Sequence, residues 1–583
     1  MLPKIKKIWQ ITPIDHVRVD LLAVELELPK PIAAILLTRG VENRAQAARF
    51  FSASLIDLPS PFLMKGMTKA VEVVLQALTN KTPVIVYGDY DVDGTTGAAL
   101  LYIFLKKIGF STIYTSQPHR LLDGYGLHLE AIKRSVPPSV LEQTPLVITV
   151  DCGISSHLQV RELQELGCAV IVTDHHQPPG ELPQAEAVLN PWQKGCAFPE
   201  KHLAGVGVAF YLAMGIRKSL HTQNRFWVKG LEIPNLKSYL DLVAVGTIAD
   251  MVPITGINRL LVKAGLEVLS AGVRPGFVEL SRVSGIVGPR VNCEDIGFRL
   301  GPRLNAAGRM GDAGRALNLL VTEDRKRAKE LAGELNTENE LRKSVLETMC
   351  REAFSQAEMA VEIGEKGLII TGEGWHSGVI GIGAARIVEK FNRPTLVFTL
   401  KDGIAKGSGR SVPGVNLYGV LKERDDLFIA FGGHEAAVGL SLPVESLPAL
   451  REHFQKRLSE IVTDTMFIPK VDIDWHEENG NIFEPGFLRM YEKMAPFGMG
   501  NPEPVFSAQG TADHPCEVGV NHLRFTVNFH GAILSGIGFG LGSFRSLLGT
   551  GQPLKVAFRL RRNTYRDKTT WQVEAVDFKQ LSV

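Results

Sequence analysis

The sequence predicts a multidomain α/β protein that ends in a small β-barrel, and three features of its 583 residues carry that expectation. Nearly continuous apolar runs at Val84–Tyr87, Leu146–Val150 and Ala169–Thr173 alternate with helical patterns, as strands of a parallel sheet buried on both faces do. A charged amphipathic stretch from Thr322 to about Val361 carries Leu331, Leu335, Val345, Leu346 and Met349 at helical spacing. From about Ile468 onward, short alternating segments, among them Arg524–Phe529, Leu554–Leu560 and Thr570–Val576, read as a barrel or sandwich.

A chain of this length exceeds a single core and divides into about three or four domains. Residues 1–65 form a helical preface with helical patterns at Pro31–Leu37 and Glu42–Phe51, closed by the hinge-like Leu58-Pro59-Ser60-Pro61. Residues 66–320 hold the parallel-sheet domain, opened by a helix at Val71–Leu78. Thr322-Glu323-Asp324 offers an N-cap and first-turn acids for a connecting helix over 321–362. Its apolar repeat is too broken for a coiled coil. Residues 363–465 make a second, smaller α/β unit, with strands at Leu368–Thr371 and Thr395–Leu400 and helices from Val379 and near Leu447–Leu458. Residues 466–583 are the β region.

Composition is that of an ordinary soluble protein, 45% hydrophobic and 22% charged. A net charge of +2 excludes a globally basic nucleic-acid coat while permitting a local basic groove. Six scattered cysteines without a C-x-x-C pair argue against a zinc site or disulfide scaffold and fit a reducing cytoplasm. No apolar h-region follows the basic N-terminus, and no uncharged stretch is long enough to span a bilayer. A cytoplasmic location is expected.

The chemistry gathers where the apolar runs end. Val84–Tyr87 runs into Gly88-Asp89-Tyr90-Asp91-Val92-Asp93-Gly94, three acids at alternate positions in a tight turn before a helix. Such acids repel one another unless a hard divalent cation neutralises them, although Asp and Gly are also ordinary turn residues. The second run ends in Asp151, the third in Asp174-His175-His176, and a fourth apolar run, Leu242–Ala249, ends in Asp250. Ligands of open α/β sheets sit outside the carboxyl ends of the strands, so these acids are expected to share one edge. Carboxylates with a His suit two cations about 3.5–4 Å apart, the arrangement used for displacement at phosphorus.

Taken in order, D-x-D-x-D-G, V-D-C-G, D-H-H and G-T-I-A-D resemble the DHH phosphoesterase superfamily. Gly374-Trp375-His376-Ser377-Gly378, Gly407-Ser408-Gly409-Arg410-Ser411 and Gly432-Gly433-His434-Glu435-Ala436 resemble motifs of its DHH-associated domain. Gly301–Arg309 (GPRLNAAGR) and Pro496–Pro504 (PFGMGNPEP) narrow the likeness to RecJ-type exonucleases, over roughly residues 70–580. The resemblance implies a DHH-type parallel-sheet domain and a smaller DHH-associated domain joined by a long helix, with a C-terminal OB-like barrel. It implies two Mn²⁺ or Mg²⁺ ions held by Asp91, Asp93, Asp151, His175 and Asp250, with Asp151 as the bridge. Asp89 and Asp174 are additional or supporting groups in the catalytic set, and His176 contacts the scissile phosphate. Many members carry a His where this chain has Tyr87, and Asp89 is the available substitute.

The implied activity is 5′→3′ exonucleolysis of single-stranded DNA, in repair and recombination, by a monomer with a helicase and a single-strand-binding protein as partners. The glycine-flanked Ser408, Gly409 and Arg410 read as a backbone nest for a 5′-phosphate, with a plain glycine turn as the alternative. His434 either contacts the phosphodiester or steadies its loop; Arg303 and Arg309 either bind phosphates or cap nearby chain; His376 is placed with the DNA contacts. Arg120 and Gly124-Tyr125-Gly126 are candidates to line the entrance. From Leu554 on, seven cations face three acids, and Arg559, Arg561, Tyr565 and Arg566 read as a basic, aromatic track for a single strand. Two rivals stand beside this reading: a DHH phosphodiesterase for short oligonucleotides or cyclic dinucleotides, and a non-catalytic DNA-binding scaffold.

Overall fold

In the computed structural model the three apolar runs become neighbours. Val84–Gly88, Leu146–Val150 and Ala169–Thr173 are adjacent parallel strands of a five-stranded sheet, with Ile113–Ser116 at one edge and Ala187–Leu189 at the other. The structure describes residues 7–120, 122–223, 233–478, 481–565 and 568–581. Val84–Gly88 and Leu146–Val150 are buried throughout, which is why their sequences show no alternation. Gly88 pairs with Val150, and Val150 with Thr173, so the three strands end at one level. The next backbone amides continue the ladder: Asp89 N donates to Val150 O (3.1 Å), Asp151 N to Thr173 O (3.0 Å) and Asp174 N to Leu189 O (3.0 Å). After Val84–Gly88 the chain first adds Ile113–Ser116 on one side, then crosses to Leu146–Val150 on the other. This reversal opens the crevice in which α/β sheets place their ligands.

The fourth apolar run departs from expectation. Leu240–Ala249 is a helix, with Leu240–Thr247 all buried and Asp250 as its C-cap, so Asp250 reaches the site from a helix end rather than a strand end. A helix that is apolar all round has no polar face to reveal its period, and Leu242–Ala249 therefore looks like a buried strand in sequence.

The charged stretch is a single helix, Arg325–Glu362, of 38 residues, N-capped by Asp324, which accepts from Lys326 N. It spans roughly 57 Å at 1.5 Å per residue. Beyond it lies a mixed five-stranded sheet in the spatial order Ala430–His434, Ala437–Pro443, Ile404–Arg410, Thr395–Lys401, Leu368–Glu373. Helix Ser377–Phe391 packs on its strands.

The glycine-rich stretch expected as a phosphate nest is the central strand of that sheet, paired on both sides. Its backbone amides serve the sheet ladder, and its glycines make room for neighbouring side chains. A Cβ at Gly407 would lie 2.4 Å from the Phe398 ring, and one at Gly409 would lie 2.6 Å from both Leu396 and Val438. Ser408 and Arg410 project from the opposite face. Gly407→Ala is therefore expected to cost about 1–3 kcal/mol of stability by overpacking, read as a lowered urea midpoint.

Residues 54–463 form one compact unit, and residues 1–53 with 464–583 form another. In the second unit, strands Phe506–Val518, His522–Phe529, Ala532–Gly538, Lys568–Gln580 and Pro553–Tyr565 follow one another, and the last pairs back with the first, closing a five-stranded barrel. That connectivity removes free edges, as in an OB-fold. Phe483, Phe529 and Phe558 stack inside it. The helices of the N-terminal segment, His16–Leu26, Lys30–Thr38 and Arg44–Ser52, share its core, and Ile8–Ile11 pairs with Lys470–Ile473. Among the described residues no helix is long and apolar enough to cross a membrane.

Candidate metal centre and nucleic-acid interface

The aligned strand ends deliver their acids to one point. Three groupings of potential ligand atoms lie within 4.8 Å of one another: Asp89, Asp91 and Asp151; Asp93, His175 and Asp250; Asp151, His175 and His176. Asp151 and His175 each occur in two of them, which places both between the others. His175 Nε2 stands 3.0 Å from Asp151 Oδ1, 3.5 Å from Asp250 Oδ2 and 3.9 Å from Asp93 Oδ2.

Four of these buried atoms have no hydrogen-bond partner: Asp89 Oδ1, Asp151 Oδ1, His175 Nε2 and Asp250 Oδ2. An unpaired buried polar atom costs about 1–3 kcal/mol, more when charged. Four converging on one point is costly unless something fills their lone pairs, and all four are acceptors suited to a divalent cation. The residues present thus fit Mn²⁺ or Mg²⁺.

The surrounding chain is shaped to hold them. Asp91 caps helix Val92–Lys107, its Oδ1 accepting from Gly94 N. Asp93 accepts from Gly205 N (2.5 Å) and Val206 N (2.8 Å), the first amides of helix Gly205–Thr222, which aim its carboxylate. Asp151 adopts a left-handed backbone at φ +63°, and the close approach of Gly205 leaves no room for a Cβ there, which would stand 2.6 Å from Asp151 Cβ. Strain of this kind concentrates at functional sites.

Protonation follows from crowding. Burial, then repulsion from Asp91, pushes Asp93 up to about 7. Burial, then Asp93 and Asp91, pushes Asp250 up to about 9. Asp89 and Asp151 rise well above the carboxylate range for the same reasons. Burial and the neighbouring His176 push His175 down to about 4, so its imidazole is neutral and ready to ligate. Burial pulls His176 down, but its hydrogen bond to Asp174 and the surrounding acids raise it to about 9.

A pH dependence follows. Asp250 and His176 both have folded-state values above their unfolded ones, so their stabilising contribution is present at low pH and is lost as pH rises through about 9. A bound cation holds the acids ionised and reverses the loss for them. Between pH 6.5 and 9 the metal-free chain should melt at progressively lower temperature, and the increase in Tm on adding Mg²⁺ should grow. Thermal scans with chelator and with Mg²⁺ across that range check this; a metal-induced increase that shrinks with pH contradicts it.

Not every expected residue joins this cluster. Asp174 is fully engaged: its Oδ2 accepts from Ile154 N, and its Oδ1 accepts from His175 N, His176 N and His176 Nδ1 (2.7 Å). It lies outside all three groupings and orients His176. Tyr87 is buried and lies outside the three groupings; its hydroxyl donates to Gly126 O and accepts from His128 N. It thereby fixes the loop carrying Tyr125, whose hydroxyl stands 3.1 Å from His176 Nδ1 and 3.3 Å from Asp151 O. Asp89 does join Asp91 and Asp151.

Beside this acidic cluster, arginines gather. Gly308 packs against the Tyr90 carbonyl, Arg120 lies over the Tyr90 ring at 5.0 Å, and Arg309 donates to Gly378 O at 3.1 Å. Arg410 donates to Gly409 O (2.7 Å) and Ser408 Oγ (3.1 Å). Burial, with repulsion from Arg120, Arg342 and Arg410, pushes Arg309 down to about 10. Among the described residues none of these four arginines has a carboxylate in ion-pair range, so the cluster offers a ready anion site. Sequence reading missed Arg342, which sits among many other charged residues of the long helix and carries no motif.

The remaining expected contacts divide. Arg303 is buried and donates to Asn336 Oδ1 (2.9 Å) and Arg299 O, so it pins the long helix instead of facing a phosphate. His376 caps helix Ser377–Phe391, its Nδ1 accepting from Gly378 N. His434 lies on an exposed edge strand outside the three ligand groupings, on the row that runs through Ala437 to Arg410. In the barrel, Arg559 pairs with Glu574, and Arg561 with Glu574 and Glu503, so these two are neutralised and do not form the open basic track expected. The Tyr565 side chain and Arg566 lie outside the described residues.

Three family models match in sequence order: the DHH family N-terminal domain over residues 83–247, the DHHA1 domain over 364–460 and the RecJ OB domain over 479–577. The chain is 37% identical over 565 residues to the single-stranded-DNA-specific exonuclease RecJ of Dickeya dadantii, covering 94% of this chain and 96% of that one. It is 36% identical over 569 residues to the RecJ of Escherichia coli, covering 94% and 95%. Among solved structures it superposes on RecJ of Thermus thermophilus in complex with Mn²⁺ at TM-score 0.81 and 30% identity, covering 99% of this chain and 80% of that one. A Mg²⁺ complex of the same protein matches at TM-score 0.74 and 27% identity, covering 99% and 79%. With these likenesses spanning nearly its whole length and the acids and histidines of the metal centre in place, the chain belongs to the RecJ family of single-stranded-DNA-specific exonucleases.

Proposed function

We propose that the chain is a two-metal exonuclease that hydrolyses single-stranded DNA from the 5′ end and releases 5′-mononucleotides. The convergence of Asp89 Oδ1, Asp151 Oδ1, His175 Nε2 and Asp250 Oδ2 without partners carries this reading. Asp91, Asp93, Asp151, His175 and Asp250 hold the ions, with Asp89 beside Asp91. Two bound cations supply an activated nucleophile and neutralise charge on the phosphoryl oxygens.

The chain's own groups do the rest. Asp174 holds one His176 nitrogen, leaving the other to donate to a phosphate oxygen, and a value of about 9 keeps that donor protonated at neutral pH. Arg309, Arg410 and Arg120 bind the terminal 5′-phosphate next to the ligand loop, so the register of cleavage is counted from the end. Division of labour follows the segments 66–320 for catalysis, 321–362 as connector, 363–465 for end binding and 466–583 for strand binding. The expected setting is cytoplasmic repair and recombination, as a monomer working with a helicase and a single-strand-binding protein.

Single-stranded DNA labelled at either end, incubated with Mn²⁺ or with chelator, tests the proposal. Mononucleotides released from the 5′ end only with metal are expected. Cleavage confined to dinucleotides would favour a small-substrate phosphodiesterase, and binding without cleavage under any metal would favour a scaffold.

A further inference from the structure

Helix Gly301–Met310 has two unlike faces. Gly301, Arg303, Leu304, Ala306, Ala307 and Gly308 are buried. Pro302, Asn305 and Arg309 remain partly exposed. A π-helical turn, Ile296–Leu300, runs into this helix without a break and projects Phe298, which is 79% exposed. Phe298, Pro302, Asn305 and Arg309 recur at steps of four, three and four, so they form one stripe along the helix. It extends roughly 16 Å at 1.5 Å per residue.

The stripe touches the site already described at its Arg309 end, and the helix that carries it packs beside Asp250. At that end Arg309 stands in the cation cluster. On the buried face of the same helix, Gly301 packs against Ala249, the residue before Asp250: a Cβ at Gly301 would lie 3.9 Å from Ala249 Cβ. A single exposed apolar side chain is ordinary on any surface. Here the exposed ring sits on a π turn, a geometry that is rare and recurs at functional sites, on the same stripe as Arg309, which has no carboxylate in ion-pair range among the described residues. Charge complementarity on that face favours a polyanion, and a ring beside it suits a nucleobase, since stacking on aromatics is how single strands are held without sequence preference.

We propose that this stripe is the track along which the single strand leaves the metal centre, with the Phe298 ring stacking a base downstream of the scissile phosphate. The proposal rests on the nuclease reading above. Phe298 is a positioning residue: it touches substrate away from the reacting atoms and keeps the strand in line.

The test uses the full chain with oligonucleotides carrying 2-aminopurine at successive positions from the 5′ end, bound in the presence of chelator. Quenching is expected to peak at one internal position and to vanish there in Phe298→Ala, with binding weakened about 5- to 100-fold. Phe298→Tyr should restore both. In steady state with Mn²⁺, Phe298→Ala should raise KM on long single strands with little change in kcat. Phe298→Ala that matches the wild type in affinity and in quenching at every position overturns the track. A wild-type chain that shows the quenching pattern but never cleaves would sink the nuclease reading and leave the track standing, so the two failures are distinguishable.

Discussion

Asp151→Asn is expected to give a folded chain that no longer cleaves DNA, with kcat reduced about 10³-fold or more, because several kcal/mol of charge stabilisation at the phosphoryl group go with the ions. Asp151 Oδ1 lies 3.0 Å from His175 Nε2, and Asp151 is the one carboxylate that occurs in two of the three groupings, so no other acid replaces it. The same substitution should not harm the metal-free fold. Burial and repulsion from Asp93, Asp91, Asp250 and Asp89 raise the Asp151 carboxyl well above its ordinary range, and a neutral amide removes that repulsion. Asn also tolerates the left-handed backbone at φ +63°. Asp151→Asn should therefore melt at or above the wild-type temperature in chelator, and its Tm should respond weakly to Mn²⁺. Asp151→Ala removes the same charge but places a poorly suited residue in the left-handed region, at a cost of about 1–2 kcal/mol. An Asn variant that loses activity because it melts far below the wild type would show that the carboxylate has a structural role, and would remove this support for the metal bridge.

The parts of this site that were legible in the sequence are those in which local pattern and global placement coincide. A strand buried on both faces must be apolar throughout, and its first polar residue marks the sheet edge; hence Asp89, Asp151 and Asp174 were visible as one set. Leu242–Ala249 obeyed the same surface rule for a different reason, since a helix buried on all sides is also apolar throughout, and only the backbone distinguishes the two. The glycine-rich motif misled in a similar way. Glycine signals either a backbone that binds a ligand or a close approach of side chains, and Phe398, Leu396 and Val438 across the sheet decide for the second at Gly407 and Gly409. Arg559 and Arg561 of the barrel are not open cations because Glu574 and Glu503, from another strand and a loop, pair with them, and such pairing is not written in a local charge count. Arg342 was hard to see because it acts through a neighbour distant in sequence, Arg309, whereas Tyr125 was placed at the entrance without its partners His176 and Asp151, which are just as distant.

Arg410→Ala is expected to abolish the advantage of a 5′-phosphorylated end, lowering kcat/KM on 5′-phosphorylated single strands about 10- to 100-fold, the equivalent of one or two charge-assisted hydrogen bonds. On 5′-hydroxyl strands the change should be small. The argument begins with what holds the guanidinium still. Arg410 Nη1 donates to Gly409 O and Ser408 Oγ, so the guanidinium is held with little entropy left to lose on binding. Burial, then repulsion from Arg120, lowers its basicity, and a dianionic phosphate relieves that repulsion. Arg410→Lys should recover only part of the loss, because an ammonium keeps the charge but not the planar fork. Removing one cation from the cluster also lessens repulsion on Arg309, so Arg410→Ala should melt no lower than the wild type. The comparison of phosphorylated and unphosphorylated ends isolates the phosphate contact from general strand binding. Equal losses on both ends would assign Arg410 to the strand as a whole, and would leave Arg309 and Arg120 as the groups that count from the terminus.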